Sequence, residues 1–431
     1  MNKYLIGILV AVTLISCNRK LNKDKTSSTS DTSPTLKYTP ETWLQQNTIE
    51  LDKDGAYNFT ELGKIIGDKR IVAIGESSHG LGKFYELKAE LVKYLHQEMD
   101  FEVLAMEGGV GDINLAYSNI DTLDAQQLRD NTVFANFRAK EVDLLFAHIK
   151  ETSTTENPLL FTGYDTQSSS KYVTKMLQRI VKPYDRQLSD SLQIRFGSYF
   201  KAIQAGNSSD SVGYVKHRDI FIKTSADTEA ILIDNRVQIK KEIQLSDFQM
   251  NCLTRMMKMF QESMNLAFSN RYYGIELRDK LMAENIKWLI ETVYPNKKII
   301  IWAHNVHIEN SGIEGSLMTW MGHYLKKQYK SDYYALGLFA YKGNTYQHWT
   351  KEIIPFENSD STFLEKKMID TGKSVTFLDL DPINNTQNTG WLFHPIQAYE
   401  VEIDGVISFI PKKRFDGIIT VFKSDAPTYE K

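Results

Sequence analysis

Cysteine is scarce in this chain, and neither sign of charge predominates. Only Cys17 and Cys252 occur among its 431 residues, and the formal net charge is -3. Two cysteines can form at most one disulfide, so the stability of the fold has to come from packing. A charge this small gives no electrostatic reason to expect nucleic acid or an anionic surface as a partner. The composition therefore favours a globular protein that acts on small molecules.

Two catalytic signatures are also absent from the sequence. Neither the G-x-S-x-G pattern of a serine nucleophile nor the H-E-x-x-H pattern of a zinc protease occurs.

Glycine and proline are missing between Val215 and Tyr273, where apolar residues recur every three or four positions. That spacing predicts long helices. We expect them to form a helical subdomain over about residues 170–295.

The N-terminal segment has the pattern of an exported bacterial lipoprotein. The apolar run at residues 4–15 is too short to span a bilayer and is typical of a signal peptide. Residues 14–17, LISC, resemble a lipobox, so we expect residues 1–17 to be the signal and Cys17 to carry the lipid. Residues 18–37, rich in Ser, Thr and Lys, predict a disordered tether before a folded domain at 38–431. The alternatives are an uncleaved membrane tether and a cysteine that stands there by chance.

If Cys17 is lipidated, the mature chain is anchored to a membrane by that lipid alone, in the periplasm or at the cell surface. Cys252 is then the only other cysteine of the exported protein. No intramolecular disulfide is possible, although the compartment is oxidising.

Strand-like and helix-like segments alternate along the rest of the chain. An apolar run at 70–76 is followed by Phe84, Leu87 and Leu91 at helical spacing and then by a second apolar run at 101–108, which is the order of a βαβ unit. Further strands are predicted at 159–165, 298–304, 333–339, 375–380 and 417–422. The fold class predicted is α/β, with a mostly parallel central sheet flanked by helices and a long-helix subdomain inserted between strands.

Titratable residues stand where three of these apolar runs end. Glu76 and His79 follow the first run, Glu107 ends the second, and His304 and His307 follow the run that begins at residue 298. Ligands of α/β sheets bind beyond the carboxyl ends of parallel strands. We therefore expect these side chains to converge on one polar pocket of an enzyme.

Within this pocket His79 is the candidate general base, because its ordinary pKa is near neutrality and Glu76 could fix its tautomer. Lys88, at the edge of the apolar face of the following helix, could stabilise an oxyanion or hold a carboxylate, or its ammonium could extend into solvent. Two alternatives stay open. The acids and histidines could hold a divalent metal in a metal-dependent hydrolase, or they could serve ligand recognition in a non-catalytic surface lipoprotein.

Several ordered motifs after the tether resemble the erythromycin esterase family, hydrolases that open macrolide lactones and so counter macrolide antibiotics. They are GESSHG at 75–80 with F-Y-x-L-K downstream, AMEGG at 105–109, R-x-x-E at 138–141, GYD at 163–165, R-D-x-x-M-x-E-N at 278–285, WAHNxH at 302–307 and FDGII at 415–419.

The resemblance implies hydrolysis of a small-molecule ester, a macrolide macrolactone, without a covalent intermediate and without a metal or organic cofactor. It implies that His79 activates water, while Glu76, Glu107, His304 and His307 line the same cleft.

Two positions depart from the family. Lys88 stands where the family usually has Arg, which keeps the charge and loses a planar fork. Lys83 stands where the family often has an acid, and we expect it to reshape the mouth of the cleft.

Overall fold

A computed structural model of the chain describes residues 39–168, 171–266, 271–312, 318–348, 350–401 and 405–429. The predicted signal segment, the lipid site Cys17 and the tether lie outside these residues. Thr39–Lys431 cluster as one compact unit. Thr39 caps the first helix and Pro40 is its first residue. None of the helices in the described ranges is both long and apolar enough to cross a membrane.

The strands of the described residues are β1 (Ile49–Glu50), β2 (Asp52–Lys53), β3 (Ala56–Tyr57), β4 (Ile71–Ile74), β5 (Phe101–Gly109), β6 (Leu160–Asp165), β7 (Lys298–Trp302), β8 (Tyr333–Gln347), β9 (Glu352–Glu357), β10 (Val375–Asp379), β11 (Ile396–Glu400), β12 (Gly405–Phe409) and β13 (Gly417–Ser424).

The α-helices are α1 (Pro40–Asn47), α2 (Thr60–Ile66), α3 (Gly82–Met99), α4 (Val110–Tyr117), α5 (Ala125–Thr132), α6 (Asp143–Thr152), α7 (Lys171–Val181), α8 (Arg186–Phe196), α9 (Ser198–Asn207), α10 (Ser211–Asp234), α11 (Arg236–Ile243), α12 (Asp247–Leu266), α13 (Arg271–Trp288), α14 (Asn305–Ile308), α15 (Met321–Tyr329), α16 (Leu364–Ile369) and α17 (Pro411–Arg414).

Within the described residues, nine strands form one sheet in the order β1-β10-β13-β8-β4-β7-β5-β6, with β9 paired to β8 outside this path. The strands from β13 to β6 are parallel to their neighbours, whereas β1, β9 and β10 pair in antiparallel fashion. The predicted mostly parallel sheet is confirmed. Strand β8 is longer than predicted, because the polar stretch from Lys342 to Gln347 pairs with β9.

Helices cover both faces of this sheet. Successive side chains of a strand point to opposite faces, so Val72 and Ile74 of β4 pack in an apolar cluster with α2, α3 and α6. Ile71 and Ala73 pack on the other side with α13, α15 and α16. Burial on both faces explains why the predicted strands are continuous apolar runs without alternation.

The helices from α7 to α13 lie between β6 and β7 in the chain, so the predicted insertion of long helices between strands is confirmed. A third apolar cluster joins α7, α8, α9, α10 and α12 and includes Met256, Met257, Met259 and Met264. It also contains Val110 and Leu115 of α4, the helix that follows β5 directly. This helical layer therefore packs beside the carboxyl end of the sheet.

Candidate active site

Four neighbouring strands, in the order β4, β7, β5 and β6, end at polar residues on one edge of the sheet. Trp302 of β7 lies in register with Ile74 of β4 and with Met106 of β5, and Met106 lies in register with Gly163 of β6. Parallel strands in register place the residues that follow them next to one another. Those residues are Glu76, Glu107, Asp165 and His304.

Glu76 is fully buried and bridges two basic side chains. Its Oε1 lies 2.8 Å from Nδ1 of His79, and its Oε2 accepts a hydrogen bond from Nζ of Lys88 at 2.8 Å. The carboxylate favours the tautomer in which Nδ1 of His79 carries the proton and Nε2 carries the lone pair. The His79 side chain is 17% exposed, against 0% for Glu76. A ligand can therefore reach His79 while the acid behind it stays buried.

Lys88 is buried rather than extended into solvent. Its Nζ also donates to the carbonyl of Ala303 at 3.2 Å and lies 4.2 Å from the centre of the Trp302 ring. Burial lowers the pKa of Lys88 to about 8, although the charge of Glu76 opposes that effect. Of the roles considered from the sequence, the one observed is that Lys88 holds a carboxylate.

Asn305 fixes the segment that carries the other two histidines. Its Nδ2 donates to the carbonyl of Leu338 at 2.9 Å, and its Oδ1 accepts from the Leu338 N–H at 3.0 Å. Gly75 is required opposite, because a Cβ there would lie 2.1 Å from Oδ1 of Asn305. The short helix α14 then brings His304 and His307 to one side, with ring centres 6.5 Å apart.

Glu107 is held from both sides. Its Oε2 accepts from the backbone N–H of His304 at 3.1 Å, and its Oε1 accepts from Nη2 of Arg278 at 3.0 Å. Burial opposes ionisation of this carboxyl, but the positive charges of His307 and Arg278 outweigh burial and hold the pKa of Glu107 well below its usual value. Glu107 is therefore a fixed negative charge within the cluster.

Arg278 of α13 joins the acids of β5 and β6. Its Nε donates to Oδ1 of Asp165 at 3.0 Å and its Nη2 to Oδ2 at 2.5 Å. This is the paired geometry that a guanidinium forms with a carboxylate. Burial on its own would lower the pKa of Arg278, but Asp165 and Glu107 raise it well above the usual value.

Asp279, the next residue of α13, orients His307. Its Oδ1 lies 2.7 Å from Nδ1 of His307. Burial disfavours the charged ring, yet the carboxylates of Asp279 and Glu107 raise the pKa of His307. The other ring nitrogen, Nε2, lies 3.3 Å from Nη1 of Arg278 and 3.7 Å from Oε1 of Glu107. A neutral ring accepts from Arg278 and a protonated ring donates to Glu107, so His307 can take up or release a proton here.

His304 connects the two parts of the cluster. Its ring centre lies 5.3 Å from that of His79, and its Nδ1 accepts from the Val306 N–H at 3.3 Å. The proton therefore belongs on Nε2, which lies 3.2 Å from Oε1 of Glu400 on β11.

The structure thus brings together all six residues predicted from the sequence, which are Glu76, His79, Lys88, Glu107, His304 and His307.

Metal binding was one of the alternatives for these side chains. No group of three or more His, Cys, Asp or Glu in the described part of the chain is arranged to hold a metal ion. Both carboxylates of the set already have cationic partners, since Glu76 contacts Lys88 and Glu107 contacts Arg278. Cationic side chains of the chain itself therefore neutralise both carboxylates.

Four residues of the cluster were not predicted. Asp165 ends β6 and follows the same strand-end rule as Glu107, so that rule could have found it. Arg278 and Asp279 lie in the middle of a helix, where only their place in the R-D-x-x-M-x-E-N motif distinguishes them. Glu400 ends a strand of a separate antiparallel hairpin, and no feature of the sequence connects it to His304.

Lys83, which was expected to reshape the mouth of the cleft, contacts the N-terminal hairpin. Its Nζ lies 3.4 Å from Asp52 and 3.0 Å from Glu86, and 4.7 Å from the centre of the Tyr57 ring. These partners belong to the small β2–β3 hairpin and to the outer side of α3. Lys83 therefore ties that hairpin to α3.

Comparisons with known proteins identify the family of the chain. The family model described as erythromycin esterase matches residues 96–424. The chain is 27% identical over 403 residues to "Putative hydrolase YbfO" of Bacillus subtilis (strain 168), covering 88% of this chain and 89% of that protein. It is 23% identical over 310 residues to "Erythromycin esterase type II" of Escherichia coli, covering 68% and 74%.

Solved structures share the fold. A Bacillus cereus protein superposes with a TM-score of 0.70 at 17% identity, covering 91% of this chain and 98% of that chain. An erythromycin esterase mutant in its open conformation superposes with a TM-score of 0.57 at 15% identity, covering 89% and 98%. Because the family match covers most of the chain, the protein belongs to the erythromycin esterase family and is a hydrolase.

Proposed function

We propose that the protein hydrolyses a carboxylic ester by direct attack of a water molecule, with a macrolide macrolactone as the leading candidate substrate. The observation that carries the proposal is the chain of contacts from Lys88 through Glu76 to His79. It ends at an imidazole that a ligand can reach, beside a second group of charged side chains. The name of the Escherichia coli relative supports the choice of a macrolide.

His79 acts as the general base in this mechanism. Its Nε2 takes a proton from water as the oxygen attacks the ester carbonyl. The imidazolium that forms is stabilised by Glu76 at 2.8 Å. Lys88 holds Glu76 in place through its own contact at 2.8 Å. Lys88 is therefore a positioning residue.

The second group of side chains stabilises the charge that develops on the substrate. Arg278 supplies positive charge, and His304 and His307 supply N–H donors, next to His79, where a negative oxygen forms in the transition state. Glu107 and Asp165 hold Arg278 in one orientation. His307 can return a proton to the leaving alkoxide, because its pKa is raised and its Nε2 faces the cluster.

Isotopic labelling tests this mechanism. If the full chain opens a macrolactone in H₂¹⁸O, the product gains one water in mass and the label appears in its carboxylate, because water attacks the carbonyl directly. Mass spectrometry of the product and of the intact protein measures both. A labelled protein, or an acyl adduct trapped at early times, contradicts the mechanism.

Two further measurements separate the two remaining alternatives. If macrolides bind but their mass is unchanged after incubation, the chain is a non-catalytic binding protein. Activity that is lost in chelator and recovered on adding zinc identifies a metal-dependent hydrolase.

Lys88→Arg should extend activity toward alkaline pH. The ammonium of Lys88 loses its proton as pH rises through about 8, and Glu76 then loses its cationic partner. A guanidinium stays charged over the whole range, so the alkaline limb of kcat/KM should move up by at least about one pH unit. The pH profile of ester hydrolysis between pH 6 and 10 measures this shift.

Lys64→Arg is the matched control, because Lys64 pairs with Glu61 on the surface of α2. If the alkaline limb of kcat/KM for Lys88→Arg coincides with that for Lys64→Arg, the role of the ammonium is refuted.

Stability gives a second measurement. Because burial lowers the pKa of Lys88 in the folded state, the unfolded chain binds more protons between about pH 8 and 10.4, and stability rises with pH there. Lys88→Arg should remove that rise.

A further inference from the structure

A cavity of about 250 Å³ lies inside the helical layer. Apolar and aromatic side chains from five different helices form most of its wall, so the space is built by the packing of the whole layer. The bulky ones that matter here are Leu177, Phe196, Tyr199, Phe221, Met256 and Phe260. Phe200, which is 64% exposed, stands at its rim.

The polar end of this cavity adjoins the catalytic cluster. Thr166, Gln167 and Ser168 line the cavity and follow Asp165 directly in the chain. The backbone N–H of Gln167 donates to Oδ1 of Asp165 at 3.0 Å, and the same oxygen accepts from Nε of Arg278. One carboxylate therefore joins the wall of the cavity to the cation of the cluster.

Tyr199 makes a second connection. Its ring lines the cavity, burial raises the pKa of its hydroxyl, and the charges of Arg278 and Asp165 and the side chain of Gln167 also act on that pKa. The cavity thus has an apolar interior and a polar end that faces the reacting groups. That is the arrangement expected of a pocket that holds one part of a substrate while the bond to be cleaved stays outside.

We propose that this cavity binds an apolar arm of the ester, an unbranched alkyl chain or a single ring of about six to eight carbon atoms. The inference rests on the proposed ester hydrolysis and names the group that the site selects. A cavity of 150 Å³ holds benzene, so 250 Å³ has room for a somewhat larger apolar group. Pockets for whole drug-sized ligands span roughly 300–1,000 Å³. A substrate of macrolide size can therefore place only one of its substituents here.

Two series of esters test the proposal on the full chain. The first lengthens the acyl arm, from p-nitrophenyl acetate to decanoate, and the second lengthens the alcohol arm of acetate esters from ethyl to decyl. Each methylene that enters the cavity should raise kcat/KM about threefold to fourfold. In one series kcat/KM should thus climb at least tenfold from two carbons to a maximum at six to eight and then fall. The series that shows this maximum identifies which arm enters.

Thr174→Trp is the variant that fills the cavity, since Thr174 lines it from α7. Its loss of kcat/KM on the eight-carbon ester should exceed its loss on the two-carbon ester at least tenfold. Phe200→Ala opens the rim at an exposed position and should move the maximum to longer chains. Val237→Trp is the control, because Val237 is 83% exposed on α11, outside the lining, and its profile should match that of the parent.

Flat profiles in both series, or equal losses of Thr174→Trp on short and long esters, would overturn the proposal. If neither series is hydrolysed, macrolactone opening decides on the proposed function, and calorimetric titration with octan-1-ol decides on the cavity alone. Binding that is lost in Thr174→Trp and kept in Val237→Trp supports the apolar pocket. Equal binding to both variants, or binding to neither, overturns it.

Discussion

His79→Asn should lower kcat for ester hydrolysis by a factor of about 10²–10⁴, the contribution typical of a general base. The substitution removes the nitrogen that takes the proton from water. It keeps an N–H donor close to the position of Nδ1, so Glu76 does not lose a hydrogen-bond partner inside the protein. The His79 side chain is also partly exposed. We therefore expect the urea midpoint of unfolding to stay nearly unchanged.

His394→Asn is the control for this experiment, because it makes the same replacement at an exposed histidine that none of the contacts described above includes. Both variants are compared by initial rates over the pH range 5–9 and by urea denaturation followed by circular dichroism. A kcat for His79→Asn within tenfold of the parent would remove His79 as the base. A loss of activity that follows a loss of folded protein would do the same.

The sheet and one half of the site were predictable from the sequence for a simple geometric reason. The strands at the centre of the sheet are buried on both faces, so their apolar runs stand out and their ends are sharp. Glu76 and His304 lie two residues past the ends of β4 and β7, and Glu107 lies near the end of β5. Because the strands are parallel and adjacent, the residues had to meet at one edge.

The other half of the site depends on packing that periodicity does not encode. Met282 and Ile286 of α13 are buried in the structure, but the sequence of this helix does not say which strand ends lie opposite Arg278. The same holds for Glu400, whose approach to His304 depends on how the β11–β12 hairpin docks. The contacts of Lys83 are a similar case, since a residue near the start of α3 can face either the strand ends or the N-terminal hairpin, and its ammonium contacts the hairpin.

Arg278→Met should have the second large effect, on stability as well as on activity. The substitution leaves two buried carboxylates, Asp165 and Glu107, without the guanidinium that both contact. Breaking one side of a buried ion pair in this way costs about 3–5 kcal/mol of unfolding free energy. Loss of the positive charge at the developing oxyanion should also lower kcat by about 10²–10³. Urea denaturation and initial rates under conditions where the variant is folded measure the two effects separately.

Arg129→Met provides the matched comparison. Arg129 is also buried, but its partners Asp130 and Asp143 are nearly half exposed and can be solvated when it is removed. This variant should lose less stability and should keep its kcat. A kcat loss in Arg129→Met as large as that in Arg278→Met would show that the activity responds to stability in general and not to the charge at residue 278.

The double variant Arg278→Met with Asp165→Asn separates the two roles of the guanidinium. An amide at residue 165 carries no charge to be left unpaired, so the double variant should recover more than half of the lost unfolding free energy. Activity should not recover, because the cation beside His307 and Glu107 is still missing. Recovery of both quantities would mean that Arg278 only neutralises Asp165. Recovery of stability alone assigns the positive charge to the reaction itself.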